Sequence, residues 1–205
     1  GHMLETVPFP TGTVEVTLDG AGIPSYEIRQ GVAWDNIPFT PQIEELARHT
    51  RAACFGSLAQ RSPVSHRTIG RFLETMPDGE GQYKVFDINL RQHFYTQQVV
   101  EESLRKCNIL KINDEELAVV GGMFGMEGMQ PGEQCRTLLD RYGLRIVILT
   151  CGAAGSSVFA PDTRSYIPTP RVEVADTVGA GDSFTASFLA ALLSGLGIGG
   201  AHRLA

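Results

Sequence analysis

The sequence has no C-x-x-C pair, no apolar run long enough to cross a bilayer, and no excess of positive charge. Cys54, Cys107, Cys135 and Cys151 are widely spaced and lack any zinc-type Cys/His pattern, which excludes a disulfide or zinc framework. They are expected to be reduced thiols packed in the core of a cytoplasmic protein. A membrane-spanning helix needs about 20 consecutive apolar residues, and no signal peptide is visible. The balance of 17 Lys and Arg against 23 Asp and Glu, a net charge of -6, argues against a general nucleic-acid or membrane-surface binder. The chain also lacks G-x-x-x-x-G-K-[ST], so a P-loop is excluded.

What is present is ordinary in bulk: 205 residues, 42% hydrophobic and 20% charged, enough to bury the core of one α/β domain. Gly1-His2-Met3 reads as an expression-tag remnant. From Thr13, Val14, Val16 and Leu18 alternate with polar residues, and a turn at Asp19-Gly20-Ala21-Gly22 precedes a second strand around Ser25–Ile28. This predicts a β-hairpin over residues 4–34 that stands apart from an α/β domain over 35–205. In that domain helix signals at Thr40-Pro41, with Ile43, Leu46 and Ala47 as the apolar stripe, and at Ser62-Pro63 alternate with strands. The strands are "AACFGSL" (Ala52–Leu58), "YKVFDIN" (Tyr83–Asn89), "NILKIN" (Asn108–Asn113) and "RIVILT" (Arg145–Thr150). Further helices are expected over Thr96–Lys106, from Asp114, and over Pro131–Tyr142. Such alternation implies a doubly wound, largely parallel sheet flanked by helices, with ligands beyond the carboxyl ends of the strands. "GSLAQ", "DINLR", "INDEE" and "TCGAAGS" should therefore share one rim.

Late in the chain, "ADTVGAGDSFTA" places Gly179-Ala180-Gly181 and then Asp182 at the start of an apolar helical pattern. Free N–H groups at a glycine-rich helix start, helped by the helix dipole, accept an anion such as phosphate. An acid beside them repels that anion but suits proton removal from an attacking hydroxyl, and phosphoryl transfer needs that combination. The plainer alternative is a carboxylate that satisfies the helix dipole. Elsewhere both readings also stand. Asn113 and Glu116 form either a helix cap or a pair close to Mg²⁺, and Asp87, Asn89 and Arg91 alternate along a strand end where Arg91 meets phosphate or a rim carboxylate. Thr150, Gly152 and Gly155 form a nucleotide-side turn or a plain hairpin turn that does not fit the dinucleotide fingerprint G-x-G-x-x-G.

"DTVGAGDSFTASF" (Asp176–Phe188), together with the order D-x-N-x-R, N-x-x-E, T-x-G-x-x-G and G-A-G-D, resembles the ribokinase-like (PfkB-type) carbohydrate kinases. Within them "GVAWDNIPF" and "FGSLAQR" are most similar to bacterial fructokinases, and "PTGTVEVTLDGAGIPSYEI" looks like the strands of their sugar-covering lid. The resemblance implies ATP-dependent phosphorylation of a sugar's primary hydroxyl, with fructose the expected sugar and ATP and Mg²⁺ as cofactors. It implies Asp182 as base, Gly179, Ala180 and Gly181 as anion hole, and Arg91 near the transferred phosphoryl group. Asn113, Glu116, Thr150, Gly152, Gly155 and Thr177 would lie on the nucleotide side, Glu116 also towards the metal, and Gln60 and Asn89 on the sugar side. The family's N-terminal glycine-rich signature is not found before the hairpin, and the chain stops at "AHRLA", so truncation at both ends is expected, with an exposed sheet edge. The rival reading is an inactive kinase-like fold serving ligand binding or assembly. A cytoplasmic location and homodimerisation through the hairpin's exposed face are the remaining expectations.

Overall fold

A computed structural model describes residues 8–18, 24–170 and 179–205. Strands β1 (Val14–Leu18) and β2 (Pro24–Ile28) form an antiparallel pair with Val14 opposite Ile28, separate from the main sheet. The expected turn at Asp19–Gly22 and Thr177 lie outside the described residues. Val14 and Val16, two positions apart and so on one face, are each 55% exposed.

The main sheet contains β3 (Ala52–Phe55), β4 (Tyr83–Asp87), β5 (Ile109–Asn113), β6 (Ile146–Thr150), β7 (Ser156–Ala160) and β8 (Thr163–Ile167), in that spatial order. The first four run parallel, and β7 and β8 add as antiparallel strands. Sequence reasoning missed these last two. The signal was present: Pro161-Asp162 separates two runs rich in aromatic and β-branched residues, and Ala160 pairs with Thr163 across a two-residue loop.

Among the described residues seven α-helices flank the sheet: α1 (Pro41–His49), α2 (Pro63–Thr75), α3 (Gln97–Lys106), α4 (Asp114–Met123), α5 (Pro131–Tyr142), α6 (Ala180–Leu193) and α7 (Ile198–Leu204). Local chemistry sets their ends. The Thr40 hydroxyl accepts from Ile43 N–H and the Thr96 hydroxyl from Val99 N–H, while Gly143 ends α5 at φ +61°. Ser62 makes no such cap, so Pro63 at the first helical position carries that start.

Both faces of the sheet are covered, which is why its strands read as continuous apolar runs. Phe86, Leu110, Ile112, Val147 and Leu149 pack with Leu104, Leu117 and Leu138 from α3, α4 and α5. On the opposite face Val85, Ile109, Ile146 and Ile148 pack with Phe188, Ala191 and Ala201 from α6 and α7. Among the described residues β3 pairs only with β4, and an apolar groove of about 400 Å³, lined by Ile43, Leu46, Ala53, Phe55 and Phe72, runs beside it. Leu46, expected in the buried stripe of α1, is 38% exposed in that groove.

All four cysteines are free. Burial pushes the Cys107 and Cys135 thiols up to about 12, as expected of packed core residues. Cys54 corrects that expectation: it sits exposed on the edge strand. Its thiol is still raised to about 11, by desolvation first and then by the Asp87 carboxylate.

Candidate functional site

Parallel register brings the carboxyl ends of β3, β4, β5 and β6 to one edge, and the rim foreseen from the sequence forms there. Asp87 pairs with Lys111, Asn113 with Thr150, and Thr150 in turn with Ser156 of β7. The loops beyond β3 and β4 are joined, since the Ser57 hydroxyl donates to the Asn89 carbonyl and Ser57 N–H to that of Ile88.

Helix α6 begins over this rim. Gly179 is its N-cap, in the left-handed conformation at φ +80°, which residues with a side chain adopt only under strain. Ala180, Gly181 and Asp182 form the first turn, where N–H groups have no partner within the helix, and Asp182 is exposed. Asp182 is close enough to raise the Cys54 thiol electrostatically, which sets it towards the β3–β4 side of the rim.

Beneath the turn lies a buried polar cluster that sequence reasoning missed. Lys111 and Asp87 are 7% and 5% exposed, and Lys111 Nζ is 3.0 Å from each Asp87 carboxylate oxygen. Thr185 Oγ1 of α6 lies 2.9 Å from Asp87 Oδ2 and 3.0 Å from the Gly181 carbonyl. A Cβ added at Gly181 would come within 2.9 Å of Lys111 Nζ. The available signal was a lone Lys inside the apolar run "NILKIN": charged residues are almost never buried unless paired.

Asn113 ends β5 and caps α4. Its Oδ1 accepts from Glu116 N–H at 2.8 Å, and Glu116 Oε2 accepts from Asn113 N–H at 3.1 Å, a reciprocal capping box. Glu116 Oε1 accepts from Leu90 N–H at 3.1 Å, which ties this helix start to the loop after β4. Both Glu116 oxygens are thus engaged in a carboxylate only 7% exposed, although each retains acceptor capacity. Among the described residues no group of three or more His, Cys, Asp or Glu could hold a metal ion. A divalent cation here would therefore take most of its oxygens from phosphate and water, as Mg²⁺ commonly does.

The expected alternation of Asp87, Asn89 and Arg91 along a strand does not form, because β4 ends at Asp87 and Asn89 turns to φ +42°. Asp87 points inward to Lys111, whereas Arg91 stays exposed and donates to Asn89 Oδ1 at 3.1 Å and to the Leu90 carbonyl. Gln60 is placed inside the protein. It is 6% exposed, its amide NH₂ donates to the Gly56 carbonyl and Ser103 Oγ, and its Oε1 meets His66 Nδ1.

On the other flank, Gly152 to Ala154 form one turn of 3₁₀ helix after Thr150. Gly152 sits at φ +49° with its carbonyl accepting from Thr169 Oγ1. Gly155 sits at φ +104°, where any Cβ would collide with the Ile167 carbonyl at the end of β8. Both glycines are needed where they stand, and the turn lies next to Asn113 across the β5–β6 pair.

A second residue that the sequence did not single out is Arg61. Its guanidinium is bidentate to Asp35 at 2.8 and 2.9 Å and also donates to the Arg29 carbonyl just past β2. It lies 4.0 Å from the Trp34 ring centroid and 4.5 Å from that of Phe94. Arg61 therefore fastens the end of the hairpin to the α/β domain.

Comparison with known proteins bears on the whole arrangement. A family model described as pfkB family carbohydrate kinase matches residues 64–205. A fructokinase of Rhizobium leguminosarum bv. trifolii is 30% identical over 160 residues, 75% of this chain and 46% of its own length. A ribokinase structure from Thermotoga maritima superposes with a TM-score of 0.74 at 19% identity, covering 95% of this chain and 60% of that one. A fructokinase structure from Vibrio cholerae O395, bound to fructose, ADP and calcium, gives a TM-score of 0.71 at 21% identity and covers 92% and 60%. The chain thus spans about half the length of the curated fructokinase it matches.

Proposed function

Because the chain belongs to the pfkB family of carbohydrate kinases, we propose that it transfers the γ-phosphoryl group of ATP to the primary hydroxyl of a sugar, with fructose the first candidate. The observation that carries this reading is the α6 start, where open N–H groups and one exposed acid, Asp182, stand together over the ends of the parallel strands.

In this mechanism Asp182 accepts the hydroxyl proton as the sugar oxygen bonds to the γ-phosphorus. The bond from that phosphorus to the β–γ bridging oxygen breaks, and its electron pair leaves with ADP. The N–H groups of Gly179, Ala180 and Gly181 take up charge on the moving phosphoryl oxygens, and the exposed Arg91, once released from Asn89 Oδ1 and the Leu90 carbonyl, adds a positive charge there. Thr150, Gly152, Gly155 and Thr177 would receive the nucleotide, alongside Asn113. Glu116 would hold Mg²⁺ through the ion's water shell, and the ion would supply neutralisation of phosphate charge. Asn89 serves the sugar side, as would Gln60, the latter by backing the loop rather than by direct contact, since its amide is spent internally. The hairpin would close over the sugar and exclude water as a competing acceptor.

A cytoplasmic location belongs to the same reading, supported by four free cysteines and an ATP-dependent reaction. Homodimerisation through the hairpin is supported by Val14 and Val16 on one open face. Light scattering should then show a dimer that Val14→Ser/Val16→Ser converts to monomer.

The test is sugar-dependent ADP release from Mg·ATP, with fructose first and other ketoses, aldoses and nucleosides after it. Asp182→Asn should lower kcat by about 10²–10⁴-fold while binding of a non-hydrolysable ATP analogue persists. The alternative reading is binding without turnover. Analogue binding with no ADP release for any sugar would select it.

A further inference from the structure

The kinase reading uses the upper surface of the α6 turn and leaves the charges below it unexplained. Lys111 Nζ, both Asp87 oxygens, Thr185 Oγ1 and the Gly181 carbonyl form a partial ring of contacts of 2.9–3.0 Å, and its gap lies where a Cβ on Gly181 would come within 2.9 Å of the ammonium. The ring joins β4, β5 and α6. Burying such a pair is costly, and apolar side chains of similar shape often stabilise a fold as well or better. Stability alone therefore gives little reason for it. The turn above provides one, since Gly179 and Gly181 make it the least restrained part of the helix, and donors for a phosphoryl group act only if fixed beforehand.

We propose that Lys111 is a positioning residue for phosphoryl transfer, setting the height of the Gly179–Asp182 turn from below through Asp87 and Thr185. This role rests on the kinase reading. Gly181 has no positive φ, and among the described residues a methyl group there is crowded by Lys111 Nζ, an ammonium held by two carboxylate oxygens rather than free to move aside.

The experiment uses the full chain with Lys111→Met/Asp87→Asn, which removes both charges and leaves neither buried alone. Thr185→Val, which opens the ring with the ion pair intact, covers the case in which the double variant does not fold. A misplacement on the order of 1 Å can cost about 10²-fold in rate. We expect kcat for the preferred sugar to fall about 10–100-fold in the double variant and about 3–10-fold in Thr185→Val, with KM for ATP within about threefold, because the loss falls on the transition state. Adding Gly181→Ala should abolish turnover with Lys111 present but cost less than about tenfold more in the double variant, where the opposing atom is gone. Amide hydrogen exchange, read without any ligand, should quicken at residues 183–186 at least about tenfold relative to α5. Unchanged exchange there, unchanged kcat, or equal Gly181→Ala effects in both backgrounds would overturn the proposal. A wild-type chain without turnover overturns the kinase reading and the catalytic role resting on it, and exchange then decides independently whether Lys111 pins the turn.

Discussion

Lys111 and Asp87 meet beneath the first turn of α6, while Arg61 and Asp35 meet beneath the connection from the hairpin, with no side chain of the four more than 8% exposed. The first pair is compact: one ammonium, one carboxylate and one hydroxyl, all on regular elements of adjacent strands and a helix. The second is broad. A planar guanidinium lies close to two aromatic rings, grips a carboxylate with two nitrogens, and reaches a loop carbonyl. Its Nη1 is buried without a partner among the described residues. Lys acts as a point charge on a flexible stem, whereas Arg offers a rigid plane with forked donors. A point charge suits fixing one backbone position within the packed sheet, and a plane suits holding several loops that share no ladder of hydrogen bonds. The α6 turn thus has a floor built on rigid elements, and the hairpin has an attachment built on stacking.

The comparison can be broken most forcefully at the floor. Lys111→Met alone strands a buried Asp87 and should cost about 3–5 kcal/mol in urea unfolding, whereas Lys111→Met/Asp87→Leu should recover most of that loss. If the single variant is as stable as wild type, the ion pair is not the anchor described. At the hairpin attachment, Arg61→Lys keeps the charge but loses the fork and the stacking, for an expected cost of about 1–3 kcal/mol and faster proteolytic cleavage near residues 29–35. Equal stability and cleavage would mean that charge alone holds the connection.

Acid should test the Arg61–Asp35 pair further. Burial raises the Asp35 pKa, but hydrogen bonds from Arg61 and Val32 N–H, together with the Arg61 charge, outweigh it and leave the carboxyl below its ordinary 3.8. The unfolded chain therefore takes up the proton first. The contribution of Asp35 is complete above about pH 3.8 and is lost as pH falls through the lower folded value. Asp35→Asn should flatten that limb of a stability-against-pH curve, and an unchanged limb would count against the clamp. The smallest effect belongs to His202, whose imidazole lies between Ser156 and Ser165, at 2.8 Å from each hydroxyl. Burial lowers its pKa below 6.5, so its contribution is full above pH 6.5 and declines below it, a slope that His202→Gln should remove.

The alternation of elements, the common rim and the capping residues Thr40 and Asn113 were legible because periodicity and cap chemistry are local. The position of G-A-G-D at a helix start was legible for the same reason. Strands β7 and β8 were passed over because β8 is half exposed and mixes Thr, Arg and Ser with its apolar residues. Strand alternation of Asp87, Asn89 and Arg91 failed because a single residue, Asn89, leaves extended geometry. Gln60 looked like a rim residue, yet its partners Ser103 and His66 lie on helices that only the folded chain brings to it. Lys111 and Arg61 escaped notice because their partners are 24 and 26 residues distant, and no local pattern encodes such pairings.

The hydroxyl of Thr185 reaches a carboxylate 98 residues earlier in the chain. During synthesis from the amino terminus, Asp87 and Lys111 can pair early, but the helix that covers them does not yet exist. The sheet can thus form around an open charged pocket that closes only when α6 has followed it out of the ribosome. The first turn of α6 should consequently be set in place only after the central strands have found one another.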